Sequence, residues 1–422
     1  MNQEALAPAR KYATLDACIS GVNEYFASPA ARDRPFELFA ALHEKAPLVR
    51  AGNAWFATGY EVVNQLGRDA RLSRWEAAKT ELSIDSLTDP ESRSALNSFV
   101  EMLINRDGED HARLRKLIRH AFLPGAVARW LQVMERVTEE LIDRVSQKAE
   151  FDLVKEVAFP LPEYVICELL GVPHEDHDLW SEWSHTAVSA NRTPAPVGDE
   201  LRRVQEAYIN FHRYFEKLVE ERRANPGDDL MSLMIKAEED GDKLSMDELI
   251  GAAILLIQAG QETTANLIAN GMYLLLKSPE KYRQLAQDPS LVPAAVLELL
   301  RLDSPAVMVM PRIAIDDVEC VGQTIRKGDH VMLSVYATGY DPHVFPEPHE
   351  MKFDRPNNNR SLNFGVGIHS CLGRQFAELE AKTMFRRIVE RLPHLELVEE
   401  PKRLAAFTRG YASLIVRNRD VA

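Results

Sequence analysis

Cysteine is scarce in this sequence of 422 residues. The four that occur are Cys18, Cys167, Cys320 and Cys371, and their spacing fits neither a zinc finger nor a disulfide framework. The pattern excludes the small disulfide-stabilised domains and favours a reducing compartment. We therefore expect a cytoplasmic protein.

Positive charge and long apolar runs are also in short supply. The chain has 50 basic and 64 acidic side chains, and its net formal charge of −14 argues against nucleic acid as a general partner. The longest apolar stretch, around 249–260, falls well short of the roughly 20 residues that span a bilayer. Residues 1–20 contain no apolar run typical of a signal peptide or anchor. We expect no membrane segment.

Hydrophobic residues make up 45% of the chain, enough for a large core, and no break in composition divides it. We predict one domain over 1–422, with its core at about 35–417 and an N-terminal tail at about 1–25. We also expect a monomer.

The stretch 364–373 reads Phe-Gly-Val-Gly-Ile-His-Ser-Cys-Leu-Gly, and we call it the cysteine loop. Gly365 and Gly367 permit backbone conformations closed to residues with a Cβ, so the chain can turn beneath a ligand. A helix predicted over 372–392 would place Cys371 near a helix N-terminus, which stabilises a thiolate. A thiolate on haem iron favours O–O cleavage. The alternative is a buried core thiol beside a glycine-rich turn.

A second pattern predicts a long helix, which we call the central helix. Ser245 and Glu248 form an S-x-x-E capping box, and no proline follows until Pro279. About 32 residues at 1.5 Å per residue give about 48 Å, enough to cross a domain. Its middle, 259–264, reads Ala-Gly-Gln-Glu-Thr-Thr, which is poor helix material and predicts a kink or groove. The alternative is a helix with satisfied polar groups at a packing crossing.

The cysteine loop, the central-helix pattern and an E-x-x-R pair at Glu298 and Arg301 resemble the motifs of the cytochrome P450 family, in its order. The resemblance runs from about 35 to 417. It implies a cytochrome P450 fold, mainly α with small β-sheets (α+β), in a single large domain with haem b between the central helix and the cysteine loop. It implies insertion of one oxygen atom from O2 into a mainly apolar small substrate, by hydroxylation or epoxidation. Electrons would come from NAD(P)H through a reductase and ferredoxin, in secondary metabolism.

The resemblance also assigns the haem site. Cys371 would ligate the iron, Thr263 would supply a hydroxyl to bound O2, and Glu262 would feed protons toward it. The remaining contacts expected with the cofactor are those of His111, Arg115, Arg312, Phe364, Gly365, His369, Gly373 and Ala259. For the helix that carries His111 and Arg115, a solvated basic helix is the alternative.

The substrate pocket would be mainly apolar. Its expected residues are Leu255, Gln258, Ala259, Met308, Val309 and Tyr411. Gln258 departs from the family pattern, because an amide replaces the apolar residue often found there. We hypothesise that Gln258 hydrogen-bonds a polar group of the substrate.

Two further features follow from the resemblance. Glu298 and Arg301, joined by Arg355, would form a buried structural clamp that braces the cysteine loop. A basic patch, made of Arg113, Lys116 and Arg119, would steer an acidic ferredoxin or flavodoxin.

Two regions suggest parts that cover the pocket. Segment 71–106 predicts short helices joined by loops, and a proline-bearing loop with Arg192 and Pro194 joins two helices that resemble the family's lid. A surface loop between packed helices is the alternative for the second. Gly339 and Tyr340 depart from the family pattern, since relatives commonly have an arginine before Asp341.

Three rival functions remain. A peroxygenase would use hydrogen peroxide, although Glu262 and Thr263 favour bound O2. A haem sensor or carrier would bind haem without turnover. A helical scaffold would bind no cofactor.

Overall fold

The structure is a computed structural model that describes residues 10–82, 101–119, 122, 124–188, 198–237, 241–404 and 408–421. The predictions for 83–100 of the pocket roof and for 191–197 of the lid loop lie outside these residues. The chain divides into two compact units. The first runs to Thr80 and includes Leu297–Cys371, and the second comprises Glu81–Val296 with Leu372 onward.

Helices account for most of the described chain. Their bounds are α1 Leu15–Ala27, α2 Pro29–Asp33, α3 Phe36–Lys45, α4 Tyr60–Leu66, α5 Arg74–Leu82, α6 Gly108–Arg119, α7 Pro124–Ser146, α8 Pro160–Leu170, α9 His177–Val188, α10 Asp199–Ala224, α11 Leu230–Lys236, α12 Met246–Leu276, α13 Pro279–Gln287, α14 Val292–Leu302, α15 Val335–Thr338 and α16 Arg374–Arg391.

The strands are short. They are β1 Leu48–Ala51, β2 Ala54–Ala57, β3 Leu72–Ser73, β4 Glu150–Asp152, β5 Arg312–Ala314, β6 Val318–Cys320, β7 Gln323–Ile325, β8 His330–Leu333, β9 Leu395–Leu397 and β10 Ile415–Asn418. Together with the helices they confirm the predicted fold class, mainly α with small β-sheets.

The first unit contains a five-stranded sheet in the order β1-β2-β8-β5-β3. Strands β1 and β2 form a hairpin through Gly52, whose φ of 65° suits glycine. Strand β8 runs parallel to β2, and its other pairing, with β5, is antiparallel. One apolar cluster joins Trp55, Leu333, Phe345 and Val366. Because Val366 belongs to the cysteine loop, that loop is rooted in the core of this unit.

The second unit is built around the central helix, α12, which packs against α8, α9, α10 and α16. The predicted capping box is present: Glu248 N donates to Ser245 Oγ at 3.2 Å, and Ser245 N donates to Glu248 Oε2 at 2.7 Å. The helix has 31 residues and is buried along most of its length. Its sequence is therefore apolar on several faces. No break interrupts it at 259–264.

One helix boundary differs from the sequence-based expectation. The helix after the cysteine begins at Arg374, with Gly373 at its N-cap position, so Leu372 is not helical. A short 3₁₀ turn, Gly367–His369, lies within the cysteine loop. Over the described ranges, no helix is both long and apolar enough to cross a bilayer.

Candidate active site

The cysteine loop folds back on itself. Gly365 and Gly367 have φ values of 74° and 71°, which residues with a Cβ rarely adopt. Cys371 N then donates to the carbonyl of Phe364 at 2.8 Å and closes the loop. The Cys371 side chain is exposed, whereas Phe364 is only partly so. The loop thus fixes the backbone on both sides of a presented thiol.

Gly67, at the C-terminal end of α4, packs against the cysteine loop. A Cβ on Gly367 would lie 2.6 Å from the carbonyl oxygen of Gly67, and a Cβ on Gly67 would lie 2.1 Å from Val366 Cγ2. The same Gly67 carbonyl accepts a hydrogen bond from Arg312 Nη1 at 3.0 Å. Arg312 is 4% exposed. Gly67 therefore contacts both Arg312 and the cysteine loop.

The three residues expected to form a clamp are in contact. Arg301 donates through Nε to Glu298 Oε2 at 2.8 Å and through Nη2 to Oε1 at 2.7 Å. Arg355 Nε lies 3.1 and 3.2 Å from the same two oxygens. Glu298 and Arg301 are 0% exposed. The carboxylate therefore depends on these two guanidinium groups for its counter-charge.

Main-chain carbonyls satisfy the rest of the clamp. Arg301 Nη1 donates to the carbonyls of Gly339 and Pro348, each at 2.7 Å, and Arg355 Nη1 donates to that of Pro346 at 2.7 Å. One carboxylate for two buried cations leaves a net positive charge, which these dipoles compensate. The clamp thereby fixes the segment that precedes the cysteine loop.

The structure explains how Tyr340, which departs from the family pattern, fits at its position. Its hydroxyl donates to the carbonyl of Leu302, and its ring packs 4.8 Å from Phe36 and 5.1 Å from His349. Burial raises the pKa of Tyr340 well above its usual value. A neutral phenol thus caps the end of α14, and Gly339 lies against Arg301 where a Cβ would be 2.7 Å from the Arg301 carbonyl.

The central helix has one open face. Its partly exposed or exposed middle residues are Leu255, Leu256, Gln258, Ala259, Gly260 and Thr263. None of them is charged, and several follow the spacing of a single helical face. A Cβ built on Gly260 would meet no atom within 4 Å. A buried helix that leaves an uncharged strip open is suited to line a cofactor or substrate site.

Glu262 and Thr263, although adjacent in the chain, have different surroundings. Thr263 Oγ1 donates to the carbonyl of Ala259 at 2.7 Å, one turn earlier in the same helix. Glu262 is 7% exposed, and its carboxylate accepts a hydrogen bond from Thr408. Thr408 was not predicted, since 146 positions separate it from Glu262.

Gln258 has a side-chain partner on α10. Its Nε2 donates to Tyr208 Oη at 2.6 Å. Desolvation raises the pKa of Tyr208 to about 12, although the bond from Gln258 opposes this. Leu255, another predicted pocket residue on this helix, is partly exposed one turn before Gln258 and Ala259.

Buried polar groups lie around the middle of the central helix. Gln261 Nε2 donates to Glu163 Oε2 at 3.2 Å, and its oxygen accepts from Ser184 Oγ. On α16, burial raises the pKa of Glu380 to about 8, and a hydrogen bond with Thr264 lowers it in part. Sequence patterns did not indicate these partners, because they lie on other helices.

On α6 the predicted residues divide by exposure. His111 is 2% exposed and Arg115 is partly exposed, whereas Lys116 and Arg119 are exposed. Arg113 differs from its expected part in a basic patch. Its guanidinium pairs with Asp242 at 3.1 Å and with Glu248, and these carboxylates raise its pKa against the effect of desolvation. Its charge is therefore largely neutralised locally.

The remaining predicted residues have different environments. Met308 is buried at 9% exposure, and Val309 is partly exposed. His369 and Gly373 are partly exposed. Tyr411 is 2% exposed, with its ring 5.0 Å from that of Tyr273 and beneath the Arg403 guanidinium at 4.2 Å. A pocket role for Tyr411 remains a prediction.

The family model described as Cytochrome P450 matches residues 88–409. The chain belongs to the cytochrome P450 family. It is 38% identical over 372 residues to the Vitamin D(3) 25-hydroxylase of Pseudonocardia autotrophica, with 86% of this chain and 87% of that one covered. The relatives support a cytochrome P450 monooxygenase, as predicted.

Solved cytochrome P450 structures are also similar. CYP109E1 from Bacillus megaterium in complex with testosterone has a TM-score of 0.80 at 30% identity, covering 92% of this chain and 99% of that one. P450BioI in complex with an acyl carrier protein bearing hexadec-9Z-enoic acid has a TM-score of 0.84 at 30% identity, covering 93% of this chain and 100% of that one.

The cytochrome P450 family implies haem, and the residues present fit it. The first unit offers an exposed thiol, Cys371, on a loop turned by glycines, together with the buried cation Arg312. The second unit offers the open, uncharged strip of the central helix and the basic residues His111 and Arg115 on α6. A thiolate, apolar surface and cations for carboxylates are the donor set that a haem requires.

Proposed function

We propose that this cytochrome P450 hydroxylates or epoxidises a mainly apolar small molecule, with haem b ligated by Cys371. The overall change would be RH + O2 + NAD(P)H + H⁺ → ROH + H2O + NAD(P)⁺ for hydroxylation. The observation that carries the proposal is the exposed Cys371 thiol, on a loop whose backbone is fixed by two positive-φ glycines and a closing hydrogen bond.

The cofactor, when bound with a thiolate ligand, supplies O2 activation and O–O cleavage. Cys371 would hold the iron through Sγ. The cofactor's carboxylates would be held by His111, Arg115, Arg312 and His369. Phe364 and Gly365 of the loop, with Gly373 and Ala259, would border the macrocycle. The Thr263 hydroxyl would hold a proton at the reacting face, and Glu262 would move protons toward it from its buried site beside Thr408.

The proposed substrate is apolar because the open strip of the central helix is uncharged. Leu255, Ala259, Met308 and Val309 would line its site. Two relatives support this class in their names, one a hydroxylase of vitamin D(3) and the other bound to testosterone. The P450BioI structure is a complex with an acyl carrier protein that bears a fatty acid. The substrate screen should therefore include compounds linked to a carrier protein.

Electrons would arrive from NAD(P)H through a reductase and a ferredoxin or flavodoxin. Lys116 and Arg119 on α6 are exposed and basic in a protein of net charge −14. Such a local positive surface favours an acidic partner by electrostatic steering. Raising the ionic strength should therefore slow the first electron transfer.

The test uses purified holoprotein, a reductase, a ferredoxin and NADPH. We expect a thiolate-type spectrum for the carbon monoxide complex and a low-spin to high-spin shift with compounds of the right class. Those compounds should yield products with one added oxygen atom derived from O2. Turnover with hydrogen peroxide but not with NADPH would identify a peroxygenase. Haem binding without any product would identify a sensor or carrier.

A further inference from the structure

The Gln258 amide is the feature of the open strip that suits recognition of a substrate. Among the strip's residues, Gln258 and Thr263 carry polar side chains. Thr263 already has its proposed role in proton transfer, and its hydroxyl donates to the Ala259 carbonyl. The Gln258 amide lies five positions before Thr263, and the other side chains of the strip are apolar. A few well-placed polar groups in an apolar site determine the orientation of a ligand.

Tyr208 holds this amide in place. The bond from Gln258 Nε2 to Tyr208 Oη, at 2.6 Å, uses one of the two N–H groups of the amide. An amide also has a second N–H and an oxygen that accepts two hydrogen bonds. A glutamine side chain without such an anchor loses rotamer entropy when it binds a ligand. Anchoring reduces that cost in advance.

The helix that carries Tyr208 is itself well packed. Trp180 of α9 lies 5.4 Å from Phe211 and 4.9 Å from Phe215, both on α10, in edge-to-face contacts. Trp183 lies 5.6 Å from Phe211 in the same manner. Helix α10 thus has a fixed support on the side of α9. The position of the Tyr208 hydroxyl follows from that support.

We propose that Gln258, oriented by Tyr208, binds a ketone or hydroxyl oxygen of the substrate and thereby selects and orients it. This inference rests on the proposed function. Gln258 is the residue in contact with substrate, and Tyr208 is a positioning residue.

The chemistry of the pair favours a neutral partner. With its pKa raised to about 12, the Tyr208 phenol is uncharged at working pH. The partly exposed residues of the central-helix strip are uncharged as well. A carboxylate or ammonium group of a substrate would be desolvated beside this strip without a counter-charge from its residues, which is costly. A ketone or hydroxyl oxygen needs only the hydrogen bonds that the amide offers.

The test measures binding to holoprotein by equilibrium dialysis and by the ferric spin-state shift. The probes are pairs of monoterpenes, steroids and macrocycles whose members differ by one ketone or hydroxyl oxygen. The wild type should bind at least one oxygenated member about five- to tenfold tighter than its hydrocarbon partner. Gln258→Leu should abolish this preference, measured as the ratio of the two affinities within each pair. No preference in any pair, or a preference that survives in Gln258→Leu, overturns the proposal.

The role of Tyr208 needs its own readout. Tyr208→Phe should reduce the preference, and the double variant should match Gln258→Leu alone, because Tyr208 acts through the amide. Additive losses would contradict this. Tyr214→Phe is the matched control: it removes a hydroxyl of the same helix that donates to Asp176 at 2.7 Å, and it should keep the preference.

The proposed function and the proposed role of Gln258 can be contradicted separately. A protein without a thiolate-type carbon monoxide spectrum, or without oxygenated product, contradicts the proposed function. A protein that passes both tests, yet binds matched ligands equally well, contradicts only the inference about Gln258 and Tyr208.

Discussion

Arg301 and Glu298 form a two-point ion pair, Nε to Oε2 at 2.8 Å and Nη2 to Oε1 at 2.7 Å, with both side chains fully buried. Removing either partner of a buried ion pair strongly destabilises the fold, because the other is left as an unpaired charge without water. The pair therefore restricts the structure more than it adds net stability.

Glu298→Gln should lower the free energy of unfolding by about 3–5 kcal/mol, since it leaves two buried guanidinium groups with no anion. Urea unfolding measures this, and haem retention after gel filtration provides a second measurement if the variant is too unstable. The matched control is Glu390→Gln, which removes the exposed pair with Arg386. That change should cost less than about 1 kcal/mol. Equal losses in the two variants would argue against the clamp.

Cys371→His should abolish the thiolate-type spectrum of the carbon monoxide complex and with it monooxygenase activity. Imidazole is neutral and donates less electron density to iron. Cys320→Ala is the control, because burial raises the pKa of the Cys320 thiol and keeps it protonated. An unchanged spectrum in Cys371→His would mean that another residue ligates the iron.

Thr263→Ala should divert reducing equivalents to hydrogen peroxide, with several-fold less product per NADPH. The variant lacks the hydroxyl proposed to hold a proton at the reacting face. Peroxide, product and NADPH are measured in the same reaction. Thr263→Ser keeps a hydroxyl and should recover most of the coupling. A normal product yield in Thr263→Ala would remove Thr263 from its proposed role.

Glu380 predicts a dependence of stability on pH. Burial raises the pKa of its carboxyl to about 8, above the usual 4.5, so the folded protein keeps a proton that the unfolded chain releases. The contribution of Glu380 to stability therefore falls as the pH rises from about 5 to 8. The penalty at pH 7 is on the order of 3 kcal/mol.

Glu380→Gln removes this penalty, because an amide carries no proton that the unfolded chain would release. The variant should lose less stability than wild type between pH 5 and 8 in urea unfolding. Glu390→Gln, an exposed change, should retain the wild-type slope. Parallel slopes for wild type and Glu380→Gln would contradict a raised pKa.

Local patterns were the part of the structure that the sequence could predict. The capping box of Ser245 and Glu248 involves residues three apart in the chain. The central helix and the fold class were predicted on such signals, together with the family resemblance. Each depends on contacts between near neighbours in the chain.

Side-chain partners across elements could not be predicted. Gln258 and Tyr208 are 50 positions apart, Arg113 and Glu248 are 135 apart, and neither pair leaves a periodic trace in the sequence. Arg113 looked like part of an exposed patch because its helix is rich in basic residues. Its actual partners depend on how α6 packs against the start of the central helix. Tertiary packing decides such pairs, and the pattern of a single sequence does not reveal it.

The contact of Gly67 with the cysteine loop affects whether that loop can be grafted onto another protein. The ten-residue motif reads as self-contained, yet its second glycine leaves no room for a Cβ because a backbone carbonyl some 300 positions upstream lies against it. A protein engineer who grafts the motif onto another scaffold would import the thiol and its turns but lose the surface that supports them. The transferable unit is the loop together with the end of α4 and Arg312, three segments that no single stretch of sequence contains.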